Sequence, residues 1–138
     1  MKNATVLVKN VIKIVSISLL LLTGLNAVVA GVLFILDPSG AKMGMSVEYL
    51  KYAPFRSFLI PGIVLFVANG VLNFAAAIAI IKNKAYSHLF TIFQGAVLCG
   101  WILIQVMMVR DVNPLHAIML TIGILLMACG YMLKKTDT

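Results

Sequence analysis

Four apolar runs constrain this chain more than any other feature, because each can cross a bilayer and none contains an Asp, Glu, Lys or Arg. They cover residues 14–36, 58–81, 88–109 and 115–133. Runs of about 19 to 24 residues, rising 1.5 Å per residue as helix, match a hydrocarbon thickness of ~30 Å. Inside hydrocarbon every backbone polar group must be paired internally, so each run folds as a helix. Charged residues make up 11% of the chain and apolar residues 62%, against about 25% charged in soluble domains. A soluble fold could not cover that much apolar surface. The 138 residues bound the chain to a single domain. The fold class follows: all-α, an integral membrane four-helix transmembrane bundle.

The first run follows Lys2, Lys9 and Lys13, which also fits a secretory signal peptide cleaved after Ala30. The run continues past Ala30 without interruption, which favours a retained span. Pro61 suits the first turn of the second span, where its missing N–H costs nothing. Lys82, Asn83 and Lys84 end that span, and Ser87 can cap the third. Asn113 and Pro114 read as N-cap and first helical residue of the fourth. The short second and third connections make the last three spans antiparallel neighbours.

Between the first two spans, Asp37 to Gly62 is the only long stretch that hydrocarbon would reject. Asp37-Pro38-Ser39-Gly40 fits a type I turn position by position. Ser46 can then cap a helix from Val47 to Tyr52, limited by Pro54. Met43, Val47 and Leu50 share one face of it and Glu48 and Tyr52 the other, which predicts a short interfacial helix over 43–52 in the headgroup plane.

Basic residues set the orientation. The N-terminus, second connection and C-terminus hold Lys2, Lys9, Lys13, Lys82, Lys84, Lys134 and Lys135. The first and third connections hold Lys42, Lys51, Arg56 and Arg110. The excess predicts cytoplasmic termini and an external first connection. The formal charge of +7 therefore marks lipid headgroups rather than nucleic acid.

The spans hold no charge, which argues against a proton-coupled pump and removes the paired carboxylates of hydrolysis. Cys99 and Cys129 differ in depth by ~10 Å, too far for a disulfide that needs Cα atoms ~4.4–6.8 Å apart. His88 and His116 begin successive antiparallel spans, so they lie on opposite faces and cannot share a metal. No catalytic residue, metal site or cofactor is expected.

The remaining signal is intramembrane amides. Gly62, Phe66, Asn69, Asn73 and Ala76 return to one face of the second span, and Gln94, Leu98, Trp101 and Gln105 form a stripe on the third. The first span offers Thr23, Asn26, Ala27 and Ala30. Two readings compete. Amides hydrogen-bond helices together at roughly 0.6 to 2 kcal/mol each. Alternatively Asn26, Asn69, Asn73, Gln94, Trp101 and Gln105 line a pocket near the outer leaflet for a lipid or small amphiphile.

The segments DPSG, YAPFRSFLIPG, VANGVLN and WILIQV resemble a group of small, uncharacterised four-span bacterial membrane proteins, over roughly Gly31 to Leu133. In span count and size the chain is also loosely similar to DoxX-like membrane proteins, some associated with quinone-linked oxidoreductases. The resemblance implies a multi-pass protein of the bacterial inner membrane and brings no catalytic residue with it. The expected function is non-enzymatic: an accessory protein, or one binding lipid or a small molecule. The expected partners are membrane lipid and a second copy or another membrane protein. An oligomeric channel or transporter, or a subunit of a membrane oxidoreductase, are the alternatives.

Overall fold

The computed structural model describes residues 2–43, 47–50, 54–109 and 114–137. Four helices carry the fold: α1 (Lys2–Leu36), α2 (Leu59–Ile81), α3 (Ser87–Val109) and α4 (Pro114–Asp137). All four are long and apolar enough to cross a membrane. Each packs on its sequence neighbours, and α1 closes the ring against α4.

The bundle is apolar outside and buries several amides and hydroxyls within its apolar core. Leu7, Leu22 and Met107 are 64%, 63% and 74% exposed, while Thr23, Asn69, Asn73 and Gln94 are exposed by 3% or less. Burial of these amides is what a lipid solvent selects, since a lipid-facing amide would have no hydrogen-bonding solvent. The chain is a multi-pass membrane protein.

Glycines set the helix spacing. A methyl at Gly31 would come within 2.9 Å of the Gly62 carbonyl oxygen, and one at Gly95 within 2.6 Å of the Gly123 oxygen. The α1–α2 and α3–α4 pairs therefore meet backbone to backbone, the close approach that small residues permit. α1 passes Ala30 unbroken, and its Gly24 and Gly31 both pack on α2.

The helix ends follow the sequence signals in part. α1 is 35 residues long, starting well before its apolar run because residues 2–13 hold neither Pro nor Gly to stop a helix. Pro114 opens α4 as expected. Ser87 is the first helical residue of α3, not a residue preceding it. Its carbonyl accepts from Thr91 Oγ1 at 2.9 Å. α2 ends where Asn83 takes φ 55°. Lys84 N–H bonds Ala79 O at 2.9 Å and Asn83 N–H bonds Ile80 O at 3.0 Å, the pair of bonds that closes a helix on a left-handed residue.

The first connection departs from expectation. Its Asp37 turn forms, with Gly40 N–H on Asp37 O at 3.0 Å and Gly40 at φ 82°. Of the segment expected to form the interfacial helix, the described part is helical as two 3-10 turns, Ala41–Met43 and Val47–Leu50. Residues 44–46 and 51–53 and the side chains of Met43 and Val47 lie outside the described residues. Leu50 is 5% exposed and clusters with Phe34 and Phe58. Leu50 thus meets protein, where Phe34 and Phe58, stacked at 4.9 Å, enclose it. Phe58 N–H donates to Pro38 O at 2.8 Å, tying the start of α2 back to the turn. Glu48 is exposed, as the sequence implied.

Candidate functional site: a buried amide layer

Two apolar clusters sit at opposite ends of the bundle. Leu20, Ala76, Ala77, Ile80, Leu126 and Leu133 form one and Phe34, Leu50 and Phe58 the other. Between them lies a polar layer of Thr23 from α1, Asn69 and Asn73 from α2, and Gln94 from α3. Glycine contacts bring the helices close at this level. A methyl on Gly24 would lie 3.2 Å from the Asn73 Cβ, and one on Gly70 would lie 2.8 Å from a Val28 methyl.

α2 is not a uniform α-helix here. Residues Leu65–Val71 form a π-helical stretch, and the backbone stays helical on both sides of it. Leu72 N–H bonds Val67 O, five residues back, and so passes over Ala68 O. Gln94 Nε2 donates to that Ala68 oxygen at 2.8 Å. It also donates to Asn73 Oδ1. One amide nitrogen thus stitches α3 to both the backbone and a side chain of α2.

The layer is not internally satisfied. Thr23 Oγ1, Asn69 Nδ2, Asn69 Oδ1, Asn73 Nδ2 and Gln94 Oε1 are buried and find no hydrogen-bond partner among the described residues. Both ends of the Asn69 amide are thus unpaired at 1% exposure. All these groups are neutral, so the layer presents mixed donors and acceptors and no charge.

Of the six residues expected to share a pocket, Asn69, Asn73 and Gln94 come together. Asn26 does not: it is exposed on the outside of α1, and Thr23, three residues earlier, turns inward instead. Trp101 and Gln105 are half-buried. Gln105 keeps the helical face of Gln94 but lies eleven residues, ~16 Å, further along α3. Between the two, Leu98 and Ile102 fill the interior, at 2% and 5% exposure. The sequence stripe predicted a face correctly and overlooked depth. The π-helical stretch and the released Ala68 carbonyl had no sequence signal; Thr23 did, as a hydroxyl among small residues.

Neither cysteine is in a disulfide. Among the described residues no group of three or more His, Cys, Asp or Glu could hold a metal ion. His116 is buried, while His88 is partly exposed near the start of α3. The arrangement supplies hydrogen bonds in a low-dielectric layer and offers no nucleophile–base pair. No protein-family model, no curated protein and no solved structure matches this chain.

Proposed function

We propose that this is a non-enzymatic membrane protein that binds the neutral polar group of a small or lipid-like molecule at the amide layer. The observation that carries the reading is Asn69, both of whose amide atoms are buried and unpartnered. A buried donor or acceptor left without a partner costs about 1–3 kcal/mol. Packing alone is a poor reason to carry that cost. A hydroxyl, carbonyl or amide brought in by a ligand would satisfy donors and acceptors together, without demanding a counter-charge. π-helical stretches are frequent at functional sites, and irregular helix at membrane depth is tolerated where protein buries it or a cavity receives it.

The same proposal includes residence in the bacterial inner membrane with both termini cytoplasmic, supported by the lysine distribution and the resemblance to small four-span bacterial proteins. Native mass spectrometry from mild detergent tests the binding. The wild-type chain should retain a neutral small molecule, and Asn69→Leu should lose it while still folding. A wild-type chain that retains nothing, with an Asn69→Leu variant simply more stable, would establish the layer as helix packing.

A second reading has one observation in its favour. Asn26 is exposed near the middle of α1 among Leu22, Leu25 and Val29, all more than half exposed. A lipid-facing amide is stabilised by a partner amide on another helix, which supports oligomerisation through α1. The stoichiometry in the same spectra, and its loss in Asn26→Leu, decide it.

A further inference from the structure

The end of the bundle that carries both chain termini holds a cleft of about 460 Å³ whose lining includes Lys9, Lys13, Lys84 and Lys134. These lysines come from α1, the α2–α3 connection and α4, so only the folded bundle assembles them. No acidic side chain of the described residues lines the cleft. Asn83, Ser87 and His88 add hydrogen-bonding groups, and Leu133 contributes apolar wall. The left-handed turn at Asn83 has a part in the construction. It places the Asn83 side chain where its Oδ1 accepts from Lys13 Nζ, joining the connection to α1.

Lys13, Lys84 and Lys134 face a lining that holds no acidic side chain, and like charges gathered there repel one another. Here they surround a concavity at the boundary between the apolar spans and water. Ala85 and Leu133 supply the apolar part of its lining. An occupant therefore meets fixed positive charge at its head and apolar side chains beside it. Basic pockets between spans at the cytoplasmic side bind anionic headgroups for this reason.

We infer that this cleft is a binding site for a phosphate ester group, held by Lys9, Lys13, Lys84 and Lys134. It lies at the end of the bundle and the amide layer at its middle, so either site can fail without the other. The phosphate can come from an anionic phospholipid or from a soluble phosphate compound, and the lining chemistry is the same for both.

The full chain, purified in mild detergent, is offered equimolar phosphatidylglycerol and phosphatidylcholine, and bound lipid is read by native mass spectrometry. In a second arm, inorganic phosphate is titrated calorimetrically. The double variant Lys13→Gln/Lys84→Gln is compared with Lys42→Gln/Lys82→Gln, which removes the same charge outside the cleft. The proposal expects binding in one arm to fall about tenfold in the first variant and to persist in the second. The Lys13→Arg/Lys84→Arg variant should restore it, which separates charge from folding. Loss confined to the phosphatidylglycerol arm identifies a headgroup; loss confined to the phosphate arm identifies a soluble ligand. Equal loss in both double variants, indifference between the two lipids together with no phosphate heat, or failure of the Arg variant to rescue would each overturn the assignment.

Discussion

Gln94 Nε2 reaches the main-chain oxygen of Ala68 at 2.8 Å, the oxygen that Leu72 N–H passes over when α2 turns π-helical. Backbone irregularity on one helix is thereby matched by a side chain on the next. In hydrocarbon a released carbonyl without such a donor would be costly. The local winding of α2 and its docking on α3 are coupled.

Gln94→Leu should consequently destabilise the bundle by ~1–2 kcal/mol, since it strands both Ala68 O and Asn73 Oδ1. Asn69→Leu removes no protein hydrogen bond among the described residues and should be neutral or stabilising. Reversible unfolding in bilayer-mimetic micelles measures both. Equal destabilisation by the two substitutions would mean that Asn69 has a protein partner in solution.

Glycine substitutions should divide sharply by position. At Gly95 a new methyl would meet the Gly123 oxygen at 2.6 Å and the Met127 backbone nitrogen at 2.8 Å. Backbone cannot move aside as a flexible side chain can, so Gly95→Ala should cost about 1–3 kcal/mol by forcing α3 from α4. Gly100 has nothing within 4 Å of the same methyl. Gly100→Ala should be neutral or stabilise α3 by roughly 0.5–1 kcal/mol. Melting temperatures of the two variants provide the check.

The Asp37 turn should loosen in acid. The Ser39 hydroxyl donates to Asp37 Oδ1 at 2.6 Å, and Lys42 N–H donates to Oδ2 at 3.1 Å. Led by the Ser39 bond, these hold the carboxyl below its usual range. A depressed folded pKa contributes stability that is present above the unfolded value, about 3.9, and lost as pH falls through the lower folded one. Amide exchange at Gly40 and Lys42 should accelerate over that acid window in the wild type. In Asp37→Asn it should be fast and independent of pH once the intrinsic rate is removed.

Leu50 and Glu48, two residues apart, should differ in access. Leu50 is enclosed with Phe34 and Phe58, while Glu48 is exposed. In a background with both native cysteines changed to Ser, Cys at position 48 should react with a water-soluble maleimide quickly and Cys at 50 slowly. Comparable rates would show that the Val47–Leu50 turn does not rest on the bundle.

The proposed orientation rests on the distribution of lysine and arginine. A reporter active only in the cytoplasm should work when fused after Thr138 and fail when inserted after Gly40. The opposite pattern would invert the proposed topology.

The sequence by itself determined the solvent, the number of spans and the faces of the amide stripes. Uncharged runs of bilayer length admit only helices, and helical periodicity assigns Asn69, Asn73 and Gln94 to faces that must avoid lipid. It also determined the Asp37 turn, whose bonds are nearly all local. The tertiary structure decided depth and pairing. Asn26 and Thr23 are equally legible as polar residues in one span, yet only contact between α1 and α2 through Gly24 and Gly70 selects Thr23 for the interior. Gln105 repeats the face of Gln94 but lies beyond the buried Leu98 and Ile102, a difference that periodicity does not carry. The contact of Leu50 with Phe34 and Phe58 is one that only the folded chain brings within reach. The lysine cleft is likewise a product of assembly, since its cations are scattered from Lys9 to Lys134 along the chain. Face is a local property of one helix; level and partner are relations between helices, fixed where backbone meets backbone.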